Sequence, residues 1–177
     1  MFYVIWSAVI ALCIVADQVS KYFVVQNIEL DRGVVPVIPN VLEFIYVRNE
    51  GAAFGSLQGD GGRIIFMTLS VIAIVGVLVY MFVKKPDSWL FCLSLSLIAG
   101  GGIGNMIDRV SLGYVVDMIH LDLFNEIKMF ASINTVFNVA DSFVCIGAAV
   151  LVLGLTLEMI AEMKKEKLAK SSKEDKE

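Results

Sequence analysis

The sequence has few of the side chains that build the common catalytic and metal centres. His120 is the single histidine among 177 residues, and the three cysteines, Cys13, Cys92 and Cys145, all lie inside apolar runs. A serine or cysteine nucleophile needs an adjacent base, and a zinc site needs several histidine or cysteine ligands. No phosphate-binding loop or dinucleotide fingerprint occurs either. These chemistries therefore fit the chain poorly.

Charge is also scarce, and its scarcity indicates a membrane protein. Charged residues make up 18% of the chain and apolar residues 58%, whereas a soluble domain carries about a quarter charged residues. Residues 64–83 and 88–107 are two runs of 20 residues without a charge. At about 1.5 Å of rise per residue, each run can cross a hydrocarbon core of about 30 Å. The net charge of −4 offers no surface for a nucleic acid.

The N-terminus lacks the features of a cleaved signal peptide. No lysine or arginine precedes Lys21, and no small-residue cleavage site follows the first apolar run. We therefore predict a retained first helix and four membrane-spanning helices in a single domain of residues 1–163, followed by a charged tail of residues 164–177. The predicted helices are residues 2–24, 64–83, 88–107 and 137–159.

The distribution of lysine and arginine predicts the orientation. Eight of the 14 lie in residues 84–87 or in residues 164–177. Because cytoplasmic segments are enriched in these two residue types, we expect both segments in the cytoplasm. With four crossings, the N-terminus is then cytoplasmic as well.

The two remaining loops are expected outside the cytoplasm. Residues 34–39 and 41–47 are rich in β-branched side chains and predict a short sheet or hairpin against the membrane surface. Residues 121–130 are amphipathic and predict a short interfacial helix. The predicted fold class is an all-α integral membrane protein with four transmembrane helices, a small extracytoplasmic β-sheet and a short extracytoplasmic interfacial helix.

Polar and ionisable residues inside apolar helices are functional candidates, because they persist mainly where they pair or line a polar cavity. Asp17 and Lys21 are four residues apart on the first helix, so they share a face and can pair. Taken alone, this pair favours a structural ion pair at the membrane interface over a functional role. At the end of the third helix, Asn105, Asp108 and Arg109 follow at positions i, i+3 and i+4 and could project together. They follow a G-x-x-x-G step at residues 100–104, which lets another helix approach closely.

Asp141 is the most informative residue of the chain. It lies about one turn into an apolar run, where an unpaired carboxylate is heavily penalised. A second carboxylate nearby would let one acid remain ionised while the other holds a proton, as in an aspartic hydrolase. Asp117 is the best candidate partner, and Asn138 shares a helical face with Asp141. From these residues alone, a catalytic pair, an ion or proton pathway and structural hydrogen bonding are all open.

Five short motifs, in order along the chain, resemble the conserved boxes of the lipoprotein signal peptidases, also called signal peptidase II. The motifs are DQVSK at residues 17–21, VRNEGAAFG at 47–55, GGIGNMIDR at 101–109, GYVVDMI at 113–119 and FNVADS at 137–142. Each motif alone is a weak signal, but five in the family's order make the resemblance very specific.

The resemblance implies an aspartyl endopeptidase of the bacterial cytoplasmic membrane, with its active site toward the extracytoplasmic face. Such enzymes cleave the signal peptide of a prolipoprotein immediately N-terminal to a cysteine that carries a diacylglyceryl group. The family uses no metal or organic cofactor and is inhibited by the cyclic peptide globomycin. The implied partners are diacylglyceryl-prolipoproteins and membrane lipids, with no nucleic acid, and we expect a monomer.

By position, the resemblance implies that Asp117 and Asp141 are the catalytic pair. It also implies supporting or substrate-binding roles for Asp17, Lys21, Asn49, Gly51, Asn105, Arg109, Asn138 and Ala140. His120 is assigned no role. The alternative is a small proton- or ion-coupled transport subunit that uses the same aspartates, which would leave the β-rich outer loop without a function.

Overall fold

The computed structural model describes residues 1–50, 60–121 and 136–174. Its helices are α1 (Phe2–Asn27), α2 (Asp60–Lys84), α3 (Trp89–Ser111) and α4 (Val139–Glu174). Within the described residues, four helices are long and apolar enough to cross a membrane, which confirms the prediction of a four-helix membrane protein. α4 continues without a break to Glu174, so the charged residues after the membrane span extend this helix.

A small antiparallel sheet lies at one end of the helices. Its strands are β1 (Val34–Ile38), β2 (Leu42–Asn49), β3 (Val115–Leu121) and β4 (Val136–Phe137), in the order β1-β2-β3-β4. The predicted sheet is thus confirmed, but the sequence pattern identified only its first two strands. β3 is buried on both faces at most positions, so it lacks the apolar–polar alternation that marks a half-buried strand.

The sheet packs on the end of α1. Val116 and Met118 of β3 and Tyr46 of β2 form a buried cluster with Val24 of α1. Because successive side chains of a strand point to opposite faces, Asp117 points away from this cluster. The packing of the sheet on α1 therefore turns Asp117 toward the remaining helices.

α3 is the central helix, and glycines let its neighbours approach closely. A Cβ atom added at Gly100 would lie 2.6 Å from Cys13 Cβ on α1, and one added at Gly101 would collide with the backbone oxygen of Ala140 on α4. A Cβ at Gly104 would lie 2.6 Å from a side-chain oxygen of α1. The G-x-x-x-G face thus contacts α1, and it brings polar groups of α1 and α4 within hydrogen-bonding distance of α3.

A tight turn connects α3 directly to β3. The backbone N–H groups of Leu112 and Gly113 both donate to the carbonyl oxygen of Asp108, across 2.7 and 3.2 Å. Gly113 has a φ of 88°, a left-handed conformation that suits glycine at the end of a helix. This turn places the strand beside the helix end from which it leaves.

α2 is the peripheral helix. It packs mainly on α3, and near its end Met81 is fully buried against Ile10, Leu95 and Ala99. Most of the other side chains that the structure describes on this helix are exposed, and a Cβ atom added at Gly76 would have no atom within 4 Å.

Two predictions fall outside the part of the chain that the structure describes. Leu121 ends β3, and the rest of the predicted interfacial helix, residues 122–130, lies outside the described residues. Gly51 lies outside them as well.

Candidate active site

Two acidic side chains from different elements meet at the sheet end of the helices. Asp117 lies in β3, and Asp141 lies in the first turn of α4. Asn138, immediately before α4, contacts both. Its Nδ2 donates to Asp117 Oδ1 across 2.7 Å, and its Oδ1 accepts the backbone N–H of Asp141 across 2.9 Å. The structure therefore gathers Asp117 and Asp141, hereafter the acid pair, around one buried asparagine.

Asp117 is the more buried acid, with 2% of its surface exposed. Its Oδ1 accepts the Asn138 amide, and its Oδ2 accepts the side-chain amide of Asn49 on β2 across 2.9 Å. Burial raises the pKa of Asp117 from its ordinary value of 3.8 to about 6, and the nearby Asp141 carboxylate also raises it, against the opposing effect of the two amides and Lys21. This carboxyl group therefore binds a proton at a pH at which an exposed aspartate is ionised.

Asp141 caps its own helix together with Asn138. Asp141 Oδ2 accepts the backbone N–H of Asn138 across 3.2 Å, while Asn138 Oδ1 accepts that of Asp141. This is the reciprocal arrangement of a capping box. Asp141 Oδ1 accepts Nδ2 of Asn105 on α3 across 2.7 Å. Asp141 is half-buried, and N–H donors at the positive end of a helix stabilise a carboxylate there.

The two asparagine amides have their orientation fixed by their other partners. Asn105 Oδ1 accepts from Lys21 Nζ and from Asn138 Nδ2, each across 3.0 Å. A protonated lysine has only donors, so Asn105 turns its oxygen to Lys21 and its Nδ2 to Asp141. Asn138 is fixed in the same way, because its Oδ1 accepts a backbone N–H of α4. Both asparagines therefore present donors to the acid pair.

Behind the asparagines lies a buried ion cluster. Lys21 Nζ lies 2.8 Å from Asp17 Oδ2 and 2.9 Å from Asp108 Oδ2, and all three side chains are almost completely buried. The pairing of Asp17 with Lys21 is the one that their spacing predicts. Gln18 donates its side-chain amide to Asp108 Oδ1 across 2.9 Å. Helical spacing does not single out Gln18, since neighbours in a helix do not share a face.

Two further predicted residues, Ala140 and Arg109, lie near the acid pair but make different kinds of contact. Ala140 is fully buried and acts through its backbone, because its N–H donates to Asp17 Oδ1 across 3.0 Å. Arg109 lies at the rim, half-buried, with Nη1 3.4 Å from the backbone oxygen of Asn105. Asn105 and Asp108 are buried while Arg109 is not, so the polar residues at the end of α3 are divided between the interior and the rim.

His120 belongs to the sheet. It lies three residues after Asp117 on β3, and therefore on the other face of the strand. It stands directly opposite Glu43 of β2, and its Nδ1 lies 2.6 Å from Glu43 Oε1. This pair links two strands and lies away from the acid pair.

The arrangement suits acid–base hydrolysis. One acid is buried with a raised pKa and the other is more accessible, and amide donors surround both. Two carboxyl groups in unequal environments can divide the roles of general acid and general base. Among residues 1–50, 60–121 and 136–174, no three His, Cys, Asp or Glu side chains are grouped as metal ligands.

Sequence comparison finds relatives over most of the chain. The family model described as signal peptidase (SPase) II matches residues 9–157. The lipoprotein signal peptidase of Streptococcus pneumoniae is 39% identical over 154 residues, which cover 87% of this chain and 94% of that protein. The lipoprotein signal peptidase of Caldanaerobacter subterraneus is 41% identical over 143 residues, which cover 81% and 90%.

Structural comparison also finds similar proteins over most of the chain. Two solved structures of a bacterial membrane enzyme, determined by the in meso method at 1.9 and 2.3 Å resolution, are each 28% identical to this chain. Their TM-scores are 0.75 and 0.76, with 88% and 90% of this chain and 94% and 92% of theirs covered. These matches support a membrane peptidase and give no support to a transport subunit. The chain belongs to the signal peptidase II family of bacterial membrane proteases.

Proposed function

We propose that this chain is a lipoprotein signal peptidase that uses Asp117 and Asp141 as its catalytic acids. It cleaves the signal peptide of a prolipoprotein immediately N-terminal to a diacylglyceryl-modified cysteine. The observation that carries the proposal is Asn138, which is hydrogen-bonded to both acids at the start of α4. The substrate class follows the names of the relatives, which are lipoprotein signal peptidases.

We assign different roles to the two acids on the basis of their different surroundings. Asp141 is more accessible and surrounded by N–H donors, so it is the carboxylate that accepts a proton from the attacking water. Asp117 is buried with a raised pKa, so it donates its proton toward the scissile carbonyl oxygen. The water oxygen bonds to the carbonyl carbon. The carbon–nitrogen bond then breaks as the leaving amine receives the proton held by Asp141, and Asp117 takes back a proton from the hydroxyl group that becomes the new carbonyl, which restores the pair.

Hydrogen bonds from the asparagines, and from the lysine to one of them, hold the acid pair in position for this chemistry. The side-chain amides of Asn49, Asn105 and Asn138 donate to three oxygen atoms of the acid pair, and the backbone N–H of Asn138 donates to the fourth. Lys21 orients the side-chain amide of Asn105 from the buried side, and Asp17 accepts the backbone N–H of Ala140, immediately before Asp141. Arg109 at the rim and Gly51 complete the set of residues that we assign to the site or its substrate.

We place the site at the extracytoplasmic face of the membrane. Lys85 Nζ lies over the ring of Tyr3 at the start of α1, whereas the sheet packs on the other end of that helix, and lysine-rich segments remain in the cytoplasm. Reporter fusions that end after Lys85 or Lys164 should be active on the cytoplasmic side, and a fusion that ends after Asn40 should be active outside. A cytoplasmic reporter at Asn40 would contradict this orientation.

We infer that one chain is sufficient for activity. Elements β2, α3 and the start of α4 of this one chain supply amide donors to the acid pair. Exposed apolar side chains along the helices supply the contact with membrane lipids. Light scattering of the detergent-solubilised protein, at concentrations at which it is active, should give the mass of a monomer. Activity confined to a dimer peak would contradict this inference.

We further propose that residues 1–163 form the peptidase domain and that residues 164–177 are a cytoplasmic tail. The family match ends at residue 157, and the last candidate site residue is Asp141. A chain that ends after Met163 should therefore retain the cleavage rate of the full chain, and a large loss of kcat would show that the tail takes part.

The decisive experiment compares two forms of one substrate. The purified protein in detergent is incubated with a prolipoprotein that carries the diacylglyceryl group and with the same protein lacking it. We expect cleavage of the lipid-modified form alone, with mass spectrometry locating the cut directly before the modified cysteine. Cleavage of neither form, together with proton or ion flux across proteoliposomes, would contradict the proposal and favour the transport alternative.

A further inference from the structure

A carboxylate outside the acid pair holds the backbone immediately before Asp141. Asp17 on α1 is fully buried, and its Oδ1 accepts the backbone N–H of Ala140 across 3.0 Å. Ala140 is also fully buried, and a Cβ atom added at Gly104 would lie 2.6 Å from the Asp17 carboxylate. The two groups therefore have little room to move relative to each other. Through this bond, α1 fixes the position at which α4 begins.

A second carboxylate holds the backbone immediately before Asp117. Asp108, near the end of α3, accepts the backbone N–H of Val116 at its Oδ2 across 3.0 Å, and both residues are buried. The carbonyl oxygen of Asp108 also accepts the N–H groups of the turn that leads into β3. The main chain and the side chain of one residue thus both hold the start of this strand. Through these bonds, α3 fixes the position of Asp117.

Lys21 joins these two carboxylates, with its Nζ within 2.9 Å of an oxygen of each. We propose that Asp17, Lys21 and Asp108 form a clamp that sets the separation of Asp117 and Asp141 by holding the peptide N–H that precedes each acid. The three are positioning residues, because their contacts act on the acid pair through its backbone. The inference rests on the proposed function, since it treats the two acids as one catalytic unit.

The clamp makes a prediction that simple charge balance does not. A cluster that served only to neutralise buried charge would fail equally whenever a carboxylate lost its charge. A clamp fails when the backbone N–H that precedes one of the acids loses the side-chain oxygen that accepts it. Asp108→Ala removes both the charge and the acceptor, whereas Asp108→Asn removes the charge and keeps an oxygen for the N–H of Val116. The two variants therefore separate the explanations.

The test measures kcat, KM and the pH–activity profile per folded molecule, with the diacylglyceryl-prolipoprotein as substrate. In Asp108→Ala we expect kcat to fall about 100-fold, the cost of a displacement of about 1 Å between reacting groups, with KM almost unchanged. The two limbs of its pH profile should move closer together, because acids that lie farther apart interact less. Asp108→Asn should recover a kcat within about tenfold of the parent.

Gln18→Met is the matched control. Gln18 donates to both clamp carboxylates, across 2.9 and 3.2 Å, and its side chain makes no bond to the backbone before either acid. This variant should lower the melting temperature and keep the kcat and pH profile of the parent.

Each outcome decides the inference. A folded Asp108→Ala variant with parental kcat and pH profile, or equal losses in the alanine and asparagine variants, would overturn the clamp. If the alanine variant does not fold, the folded asparagine variant decides, with activity within about tenfold of the parent in favour and inactivity against. A parent chain that does not cleave the substrate refutes the proposed function instead, so the two failures are distinguishable.

Discussion

Asn138 and Asp117 are joined by a hydrogen bond of 2.7 Å that links a helix terminus to a sheet. Asn138 caps α4 and Asp117 lies in β3, so this bond connects the two elements that carry the acid pair. The two residues are 0% and 2% exposed, so water has little access to replace the bond. Loss of this hydrogen bond should therefore lower both the stability of the protein and the rate of cleavage.

Asp117→Asn and Asp141→Asn should each abolish cleavage while the protein remains folded. Asparagine keeps the volume of aspartate but cannot accept or donate the proton that hydrolysis requires. We expect kcat to fall by at least about 100- to 10,000-fold in either variant. The double variant should be hardly worse than either single variant, because the two acids act as a unit. Near-normal cleavage by one folded single variant would remove that residue from the pair.

Asn138→Ala and Ser88→Ala each remove the cap of a membrane helix, but only Asn138 contacts the acid pair. Ser88 Oγ accepts the N–H of Phe91 across 3.4 Å at the start of α3. Loss of a cap costs about 1 kcal/mol of stability, so both variants should melt earlier than the parent. Only Asn138→Ala should lower kcat per folded molecule. Equal kcat values in the two variants would confine Asn138 to a structural role.

The stability of the parent should fall as pH rises through the range in which Asp117 titrates. Its pKa is 3.8 when exposed and about 6 in the native protein, so between these values the native state binds a proton that the unfolded chain has lost. The resulting loss of folding stability is complete above about pH 6 and amounts to at most about 3 kcal/mol. Melting temperatures in detergent can be compared with those of Asp117→Asn. The advantage of the parent over this variant should shrink as pH rises, and a difference independent of pH would contradict the raised pKa.

Gly101→Ala should disrupt the site, and Gly76→Ala should not. A methyl group at Gly101 would collide with the backbone oxygen of Ala140, immediately before Asp141, whereas one at Gly76 meets open space. Alanine also favours a helix over glycine by about 0.5–1 kcal/mol. We therefore expect loss of activity or folding in the first variant and unchanged cleavage with equal or higher stability in the second. Normal activity of Gly101→Ala would show that α3 and α4 can separate without harm.

Much of the fold follows from local properties of the sequence. Residues 64–83 and 88–107 contain no charge, and the length of a charge-free run alone predicts a membrane span. β3 could not be predicted in this way. It is buried by α1 on one side and by the site on the other, so its side chains do not alternate in polarity.

For the candidate site, the sequence indicated residues and local pairs such as Asp17 with Lys21, but not the long-range contacts. The motifs indicated Asp117, Asp141 and the neighbouring asparagines as candidates, because these residue types suit the proposed acid–base chemistry. The bond from Asp17 to the backbone of Ala140 spans 123 residues of sequence. It forms because glycines let three helices approach, and a backbone N–H leaves no trace in the pattern of side chains.

The peripheral position of α2 has a consequence for how the chain evolves. Along α2, side chains such as Leu69, Ile72 and Val79 are largely exposed, and in a bilayer they meet acyl chains, which are as apolar as leucine and indifferent to shape. Selection on this helix acts mainly on hydrophobicity, so exchanges among valine, isoleucine, leucine and phenylalanine should be nearly neutral. On α3, selection acts on size, because each contact glycine faces another helix. Two adjacent helices of similar hydrophobicity should therefore diverge at very different rates.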